Sequence, residues 1–110
     1  MSPRLIPLFL ALAAAAAAQA DEPVGYQEGL RLMQKYHCQQ CHAIDKNLSG
    51  PSLRAVAKRY ASDPNARGEV ATNILNGSTG AWGPVPMPPV QVSKEDLRPL
   101  VDWILSLTNT

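Results

Sequence analysis

KYHCQQCHAID, residues 35–45, holds the only two cysteines of the chain, Cys38 and Cys41, with His42 directly behind the second. Four readings compete for this stretch. A redox-active thiol pair of the thioredoxin kind belongs between a strand and a helix, a setting this sequence lacks. Structural zinc asks for four ligands in a tetrahedron, commonly as two separated pairs. Here only His37, Cys38, Cys41 and His42 are at hand, and adjacent residues at both ends cannot easily wrap one ion. Chance is the third reading, and the use of cysteine nowhere else argues against it. The fourth is covalent haem attachment, for which Cys-x-x-Cys-His is a recognised signature. At a helix end, residues i, i+3 and i+4 project to one side, so two thiols can meet the porphyrin edge while His42 turns toward the iron. Haem attachment is the reading we carry forward, with His37 as a partly exposed surface residue.

The chain opens with Arg4, a mostly apolar run from Leu5 to Leu12, an alanine run, and Ala18-Gln19-Ala20. A short basic start, an apolar centre and a small-x-small end form an export signal, predicted to be cleaved after Ala20. The apolar run is shorter than a bilayer span and contains Pro7, so stable membrane insertion is not expected. Residues 21–110 remain, the length of one domain, and Arg4 leaves with the leader, so acidic and basic residues balance. A chain this balanced has no basic stripe for nucleic acid. A domain this short buries a modest core unaided, and something extra inside it would help.

The mature part reads as helices joined by loops. Tyr26, Leu30, Met33 and Cys38 lie roughly on one face of a first helix, predicted from Val24 or Gly25 to the cysteine pair. A second begins near Pro51 and Ser52 and carries Leu53, Val56, Ala57 and Tyr60. A third covers Glu69 to Leu75 and stops at Asn76-Gly77. Ser93 is the expected N-cap of the last, whose stripe is Leu97, Leu100, Val101, Ile104 and Leu107, with Pro99 as a point of loosening. No stretch alternates with period two. The expectation is an all-α fold of about four helices packed around one covalently bound haem.

His42 occupies one side of the iron, so function turns on the other. Met33 precedes Cys38 on the same helix and reads as core, whereas Met87 lies far enough along the chain to cross the haem. Pro84, Pro86, Pro88 and Pro89 surround it. Fixed φ angles lower the entropy lost when a loop closes onto a weak thioether–iron bond. A His/Met pair raises the potential relative to bis-His ligation and leaves no vacant position, which suits a one-electron carrier. The alternative is a haem sensor or peroxidase-like protein with Met87 displaced.

With these residues in hand, the chain resembles the small bacterial class I c-type cytochromes of the cytochrome c-551 type. The resemblance runs over most of residues 21–110. Its anchors are Cys38 to Asp45, Gly50-Pro51, Asn76-Gly77-Ser78, Trp82 to Pro89, and Trp103 to Ser106. It implies a monomeric, periplasmic, non-enzymatic carrier of single electrons holding one haem c. Its donor would be a cytochrome bc1 complex or another cytochrome, and its acceptor a nitrite reductase, cytochrome c peroxidase or oxidase. It also implies that the Pro51 carbonyl holds the free ring nitrogen of His42 and that Trp82 directs its indole N–H at a haem propionate. Two departures stand out. Val90 occupies a place where relatives often carry asparagine, and Asn73, Ile74 and Leu75 are uncharged where some carry a base that offsets a propionate. Propionate ionisation is therefore expected to weigh more on the potential near neutral pH. Gln39, Leu48, Pro84, Val85, Pro86, Pro88 and Pro89 are expected to ring the thioether edge as an apolar docking patch.

Overall fold

A computed structural model describes residues 2–7 and 25–108; the body of the leader and the cut after Ala20 lie outside them. Four helices follow in order: α1 (Tyr26–Lys35), α2 (Leu53–Tyr60), α3 (Ala66–Asn76) and α4 (Lys94–Leu105). Short 3-10 turns cover Cys38–Gln40 and Ser106–Thr108. Between α3 and α4 lies a small antiparallel hairpin, β1 (Ser78–Gly80) and β2 (Gly83–Met87), with Ser78 opposite Met87 and Gly80 opposite Gly83. No helix among the described residues is long and apolar enough to cross a membrane.

The helix ends follow from local chemistry. Ser52 Oγ accepts the Ala55 N–H at 3.0 Å and Ser93 Oγ accepts that of Asp96 at 3.2 Å, so α2 and α4 both start on a serine cap. Glu95 and Asp96 sit in the first turn of α4, where the helix dipole favours negative charge. The helix runs unbroken through Pro99. The third helix starts at Ala66, earlier than the sequence suggested, and buries Ala66, Val70 and Ile74 at intervals of four.

Two expectations need correction. The first helix does not reach the cysteine pair: it ends at Lys35, and His37 takes the left-handed conformation (φ 59°), which an α-helix of L-residues cannot continue through. A fresh 3-10 turn then starts at Cys38. Its buried stripe is also displaced from the one read in the sequence, with Gly29, Leu32 and Met33 innermost and Tyr26 exposed. The second correction is the hairpin. Its strands bury no alternate face, and its turn is made by Gly80 (φ 80°) and Gly83 (φ 115°), so no period-two pattern marks it.

The fourth helix is the common wall, packing against α1, α2 and α3. Trp103, Leu100 and Val101 are its most deeply buried side chains, joined by Leu107 of the 3-10 turn that follows and Leu32 of α1. A Cβ on Gly29 would overlap the Trp103 indole, so the two helices meet where α1 has no side chain. The Tyr26 ring meets the indole edge-on, with centroids 6.1 Å apart. Polar ties close the periphery: Asp96 accepts from Lys35 Nζ at 2.7 Å and from the Tyr36 hydroxyl at 2.6 Å. Arg54 Nε donates to Asp45 and its Nη1 to the Leu107 carbonyl at 2.8 Å.

Gly29→Ala should lower stability by about 1–3 kcal/mol, the usual cost of overpacking, read as an earlier midpoint in denaturant unfolding. An unchanged midpoint would mean that the α1–α4 crossing tolerates separation. Hydrogen bonds from Lys35 and Tyr36 hold the Asp96 carboxyl down from an ordinary 3.8 to about 2. A carboxyl depressed on folding contributes stability above its unfolded value and loses it as pH falls toward the folded one. Asp96→Asn is therefore expected to flatten the stability loss between about pH 4 and pH 2 seen in acid titration of the parent, a window set by that depression.

Candidate haem site

Three segments with different geometries meet around one cavity of about 240 Å3 that opens to solvent on one side. The first is the turn after α1. The Cys38 carbonyl accepts from the N–H of Cys41 at 3.2 Å and from that of His42 at 2.9 Å. Those bonds preserve one helical turn from Cys38 to His42, so the spacing argument survives although the turn belongs to no long helix. Cys38, Cys41 and His42 all border the cavity.

The second segment is the loop from Ala43 to Pro51, which returns the chain to the histidine. His42 Nδ1 lies 2.7 Å from the Pro51 carbonyl oxygen. A carbonyl only accepts, so Nδ1 carries the proton and Nε2 keeps its lone pair for a metal. The loop is held by the Gly50 N–H on the Cys41 carbonyl at 2.8 Å and by Asn47 Oδ1, which accepts the Ser52 N–H at 2.8 Å. Gly50 has a further role that the sequence reading missed. A Cβ there would stand 2.6 Å from His42 Cε1, so the imidazole packs flat against a backbone with no side chain.

The hairpin is the third segment. Met87 ends β2, is half-buried, and borders the same cavity as His42. Behind it, Gly77 (φ 79°) takes a conformation that L-residues rarely adopt, and a Cβ there would meet the Met87 carbonyl at 2.7 Å. The Val90 N–H donates to the Ile74 carbonyl at 2.8 Å, which pins the chain after Met87 to the end of α3.

The remaining candidates also have places. Met33 is buried in the core and forms part of the wall. His37 is exposed and touches the rim. Trp82 borders the cavity while remaining 39% exposed, so it is not a core aromatic. Of the expected docking patch, Val85, Pro86 and Pro88 border the cavity, whereas Gln39, Leu48, Pro84 and Pro89 are exposed beyond it. Arg59 is the residue that sequence reading did not find: its guanidinium stands 4.4 Å from the centroid of the Trp82 ring. Only its place in the last turn of α2 could have hinted at this, and nothing in the sequence connects it to Trp82.

These features discriminate among the four readings of the motif. Burial pushes the Cys38 thiol up, the opposite of the lowered value that a reactive redox thiol needs. No group of three or more His, Cys, Asp or Glu among the described residues is placed to hold a metal ion by itself. A largely apolar cavity with two unpaired thiols and a proton-fixed imidazole on its wall fits a flat, apolar iron macrocycle tethered through sulfur. There the thiols would supply the tether and His42 Nε2 an iron ligand.

Comparison with known proteins agrees. The family model described as Cytochrome c matches residues 26–108. The chain is 43% identical over 103 residues to cytochrome c-551 of Stutzerimonas stutzeri, covering 94% of this chain and 95% of that protein. Among solved structures it is similar to wild-type Nitrosomonas europaea cytochrome c552, with a TM-score of 0.68 and 42% identity over 71% of this chain and 98% of that one. It is also similar to the class 1 cytochrome MtoD of Sideroxydans lithotrophicus ES-1, with a TM-score of 0.62 and 27% identity over 74% of this chain and 94% of that one.

Gly50→Ala tests the loop. The added methyl has to displace the imidazole from the Pro51 carbonyl, making His42 a poorer donor to iron. If His42 binds an iron, the expected result is a higher reduction potential in the haem-loaded protein. An unchanged potential would show that the loop absorbs the methyl without moving the ring.

Proposed function

This chain belongs to the cytochrome c family, and from that premise we propose that His42 and Met87 ligate its iron and that it carries single electrons between respiratory proteins in the periplasm. As a small monohaem member of an electron-carrier family it holds one covalently bound haem c. When bound, that haem supplies a one-electron couple. Everything else asked of the chain is to hold the couple still, keep it dry and leave it reachable.

Cys38 and Cys41 form the two thioethers, and His42 is oriented by the Pro51 carbonyl. Met87 is delivered by a hairpin that Gly77 and Val90 fasten to α3. The observation that carries this reading is that residues from both segments wall the same cavity. A thioether on a fastened hairpin loses little freedom on binding, so the ligand set need not rearrange with each electron. Trp82 stands at the rim, suited to donate its indole N–H to a propionate.

Partners would dock where the site meets solvent. Cys41 is exposed there, and Leu48 (50% exposed) and Val85 (58%) are among the large apolar side chains the fold leaves uncovered. Small, weak interfaces are typical of redox encounters. A donor such as a bc1 complex or another cytochrome, and an acceptor such as a nitrite reductase, peroxidase or oxidase, fit that kind of contact. With charges nearly balanced, the partner rate should depend only modestly on salt. The leader implies export and cleavage after Ala20, and the mature chain acts as a monomer without enzymatic activity.

The decisive experiment is optical. Protein exported from a host with c-type maturation machinery is expected to begin at Asp21 by mass spectrometry and to hold a low-spin covalent haem. Its ferric form should show the weak far-red sulfur-to-iron band, and its ferrous form should resist carbon monoxide. Met87→Ala should lose the band and take up carbon monoxide readily. A parent protein that lacks the band and binds carbon monoxide quickly would move the reading to a sensor or peroxidase-like protein with Met87 displaced.

A further inference from the structure

Arg59 is held in place by neutral groups. Its guanidinium stacks on Trp82 and its Nη1 donates to the Ala81 carbonyl at 2.6 Å. By contrast Arg31, Arg54, Arg67 and Arg98 each meet a carboxylate, whereas Arg59 meets none among the described residues. A guanidinium has five N–H donors in a rigid fork, and one is accounted for. Trp82 and Ala81 both border the cavity, and no Asp, Glu, Lys or Arg side chain lines it. Arg59 is therefore a positive charge positioned directly behind two residues, Trp82 and Ala81, that border a space with no charged wall of its own.

A haem brings two carboxylates to such a space. A carboxylate against apolar walls is pushed toward its protonated form unless a cation stands close. We propose that Arg59, held by the Trp82 stack, is the fixed counter-cation of one haem propionate, keeping it ionised through neutral pH and the reduction potential level there. The proposal rests on the haem reading above and deepens it. It also reverses the expectation drawn from the uncharged Asn73, Ile74 and Leu75, because the charge comes from α2 instead of α3.

Other groups that titrate or carry charge near this rim are few. The cavity wall contributes Tyr36, His37, Cys38, Cys41, His42 and Tyr60. In the holoprotein the thiols would be consumed by thioethers and His42 by iron, which leaves His37 as the one histidine of the wall not so engaged. The second helix adds Lys58 beside Arg59, and the turn to α3 adds Asp63. The third helix adds Glu69, whose carboxyl is raised by burial and by Asp63, and Arg67, which is engaged with Asp102. Residues 78–87 contain no ionisable side chain.

The test measures midpoint potential against pH in haem-loaded protein, with His37→Asn as the common background, since asparagine tolerates the left-handed backbone there. Arg59→Gln keeps a donor for Ala81 and removes the charge; Arg59→Lys keeps the charge and loses the planar stack. Proton loss from a propionate favours the ferric state, so potential falls as pH rises through its pKa. The background protein should be level through neutrality, and so should Arg59→Lys. Arg59→Gln should show a falling segment, with the proton-linked transition displaced upward by about 1–3 pH units. An Arg59→Gln profile as level as the background overturns the proposal, including when the substitution changes only the salt dependence of a partner reaction. A background that already slopes through neutrality overturns it as well. Loss of the sulfur-to-iron band in the background strikes the Met87 assignment instead, and the Arg59 comparison can still be read on any covalently held haem.

Discussion

The crossing of α1 and α4 at Gly29 and Trp103 is the constraint on which the remaining geometry rests. An indole this deeply buried needs a flat surface to lie on, and the opposing helix provides one only where it has no Cβ. That contact sets how near α1 stands to the common wall. It thereby sets where the chain leaves α1 and enters the His37 turn that carries both thiols. The Lys35–Asp96–Tyr36 ties then fasten the last turn of α1 to the first turn of α4, so the cysteine turn is anchored on its upstream side. Among the described residues the Trp103 Nε1–H has no hydrogen-bond partner, so its place at this crossing rests on shape.

How the chain can be read without its structure depends on which signals are local. The Ser93 cap, the Asn-Gly stop and most of the stripe of α4 act within a turn or two and appeared where the residues indicated. Ser52, by contrast, caps α2 from outside its first turn, and Trp103 joins the stripe unannounced. The Cys-x-x-Cys-His spacing acts within a single turn and pointed at once to the cofactor. Less legible was the end of α1, because a left-handed histidine is rare and nothing beside His37 announces it. The hairpin was read as a proline-rich loop, since strands that bury neither face leave no alternation. Gly29 and Gly50 are silent as well: what matters there is the ring that approaches from elsewhere in the chain. Arg59 belongs to the same class, for its partner Trp82 lies across the fold and a basic residue in a last helical turn is ordinary.

Two kinds of wall meet at the cavity, and they divide the work. The wall from α1, α3 and α4 is side-chain core, with Met33, Ile74, Leu100 and Ile104 excluding water. The wall from the Gly50 loop and the hairpin is largely backbone, shaped by glycine and proline. Packed side chains give a low dielectric and resist deformation, whereas backbone hydrogen bonds place single atoms at defined points. The Pro51 carbonyl and the chain around Met87 come from this second wall, so with the proposed ligands electronic tuning would fall to main-chain geometry that side-chain substitution reaches only indirectly.

The Pro51 carbonyl belongs to the residue immediately before the serine cap of α2, and its bond to His42 therefore joins two motions that otherwise would be separate. Opening the first turn of α2 releases the Ala55 N–H to solvent and slackens the carbonyl that aims the imidazole. Coupling of this kind is reciprocal. If His42 binds the iron as proposed, whichever oxidation state held the imidazole more tightly would also slow hydrogen exchange at the start of α2. The arrival of an electron would then be written into the protection of a helix end.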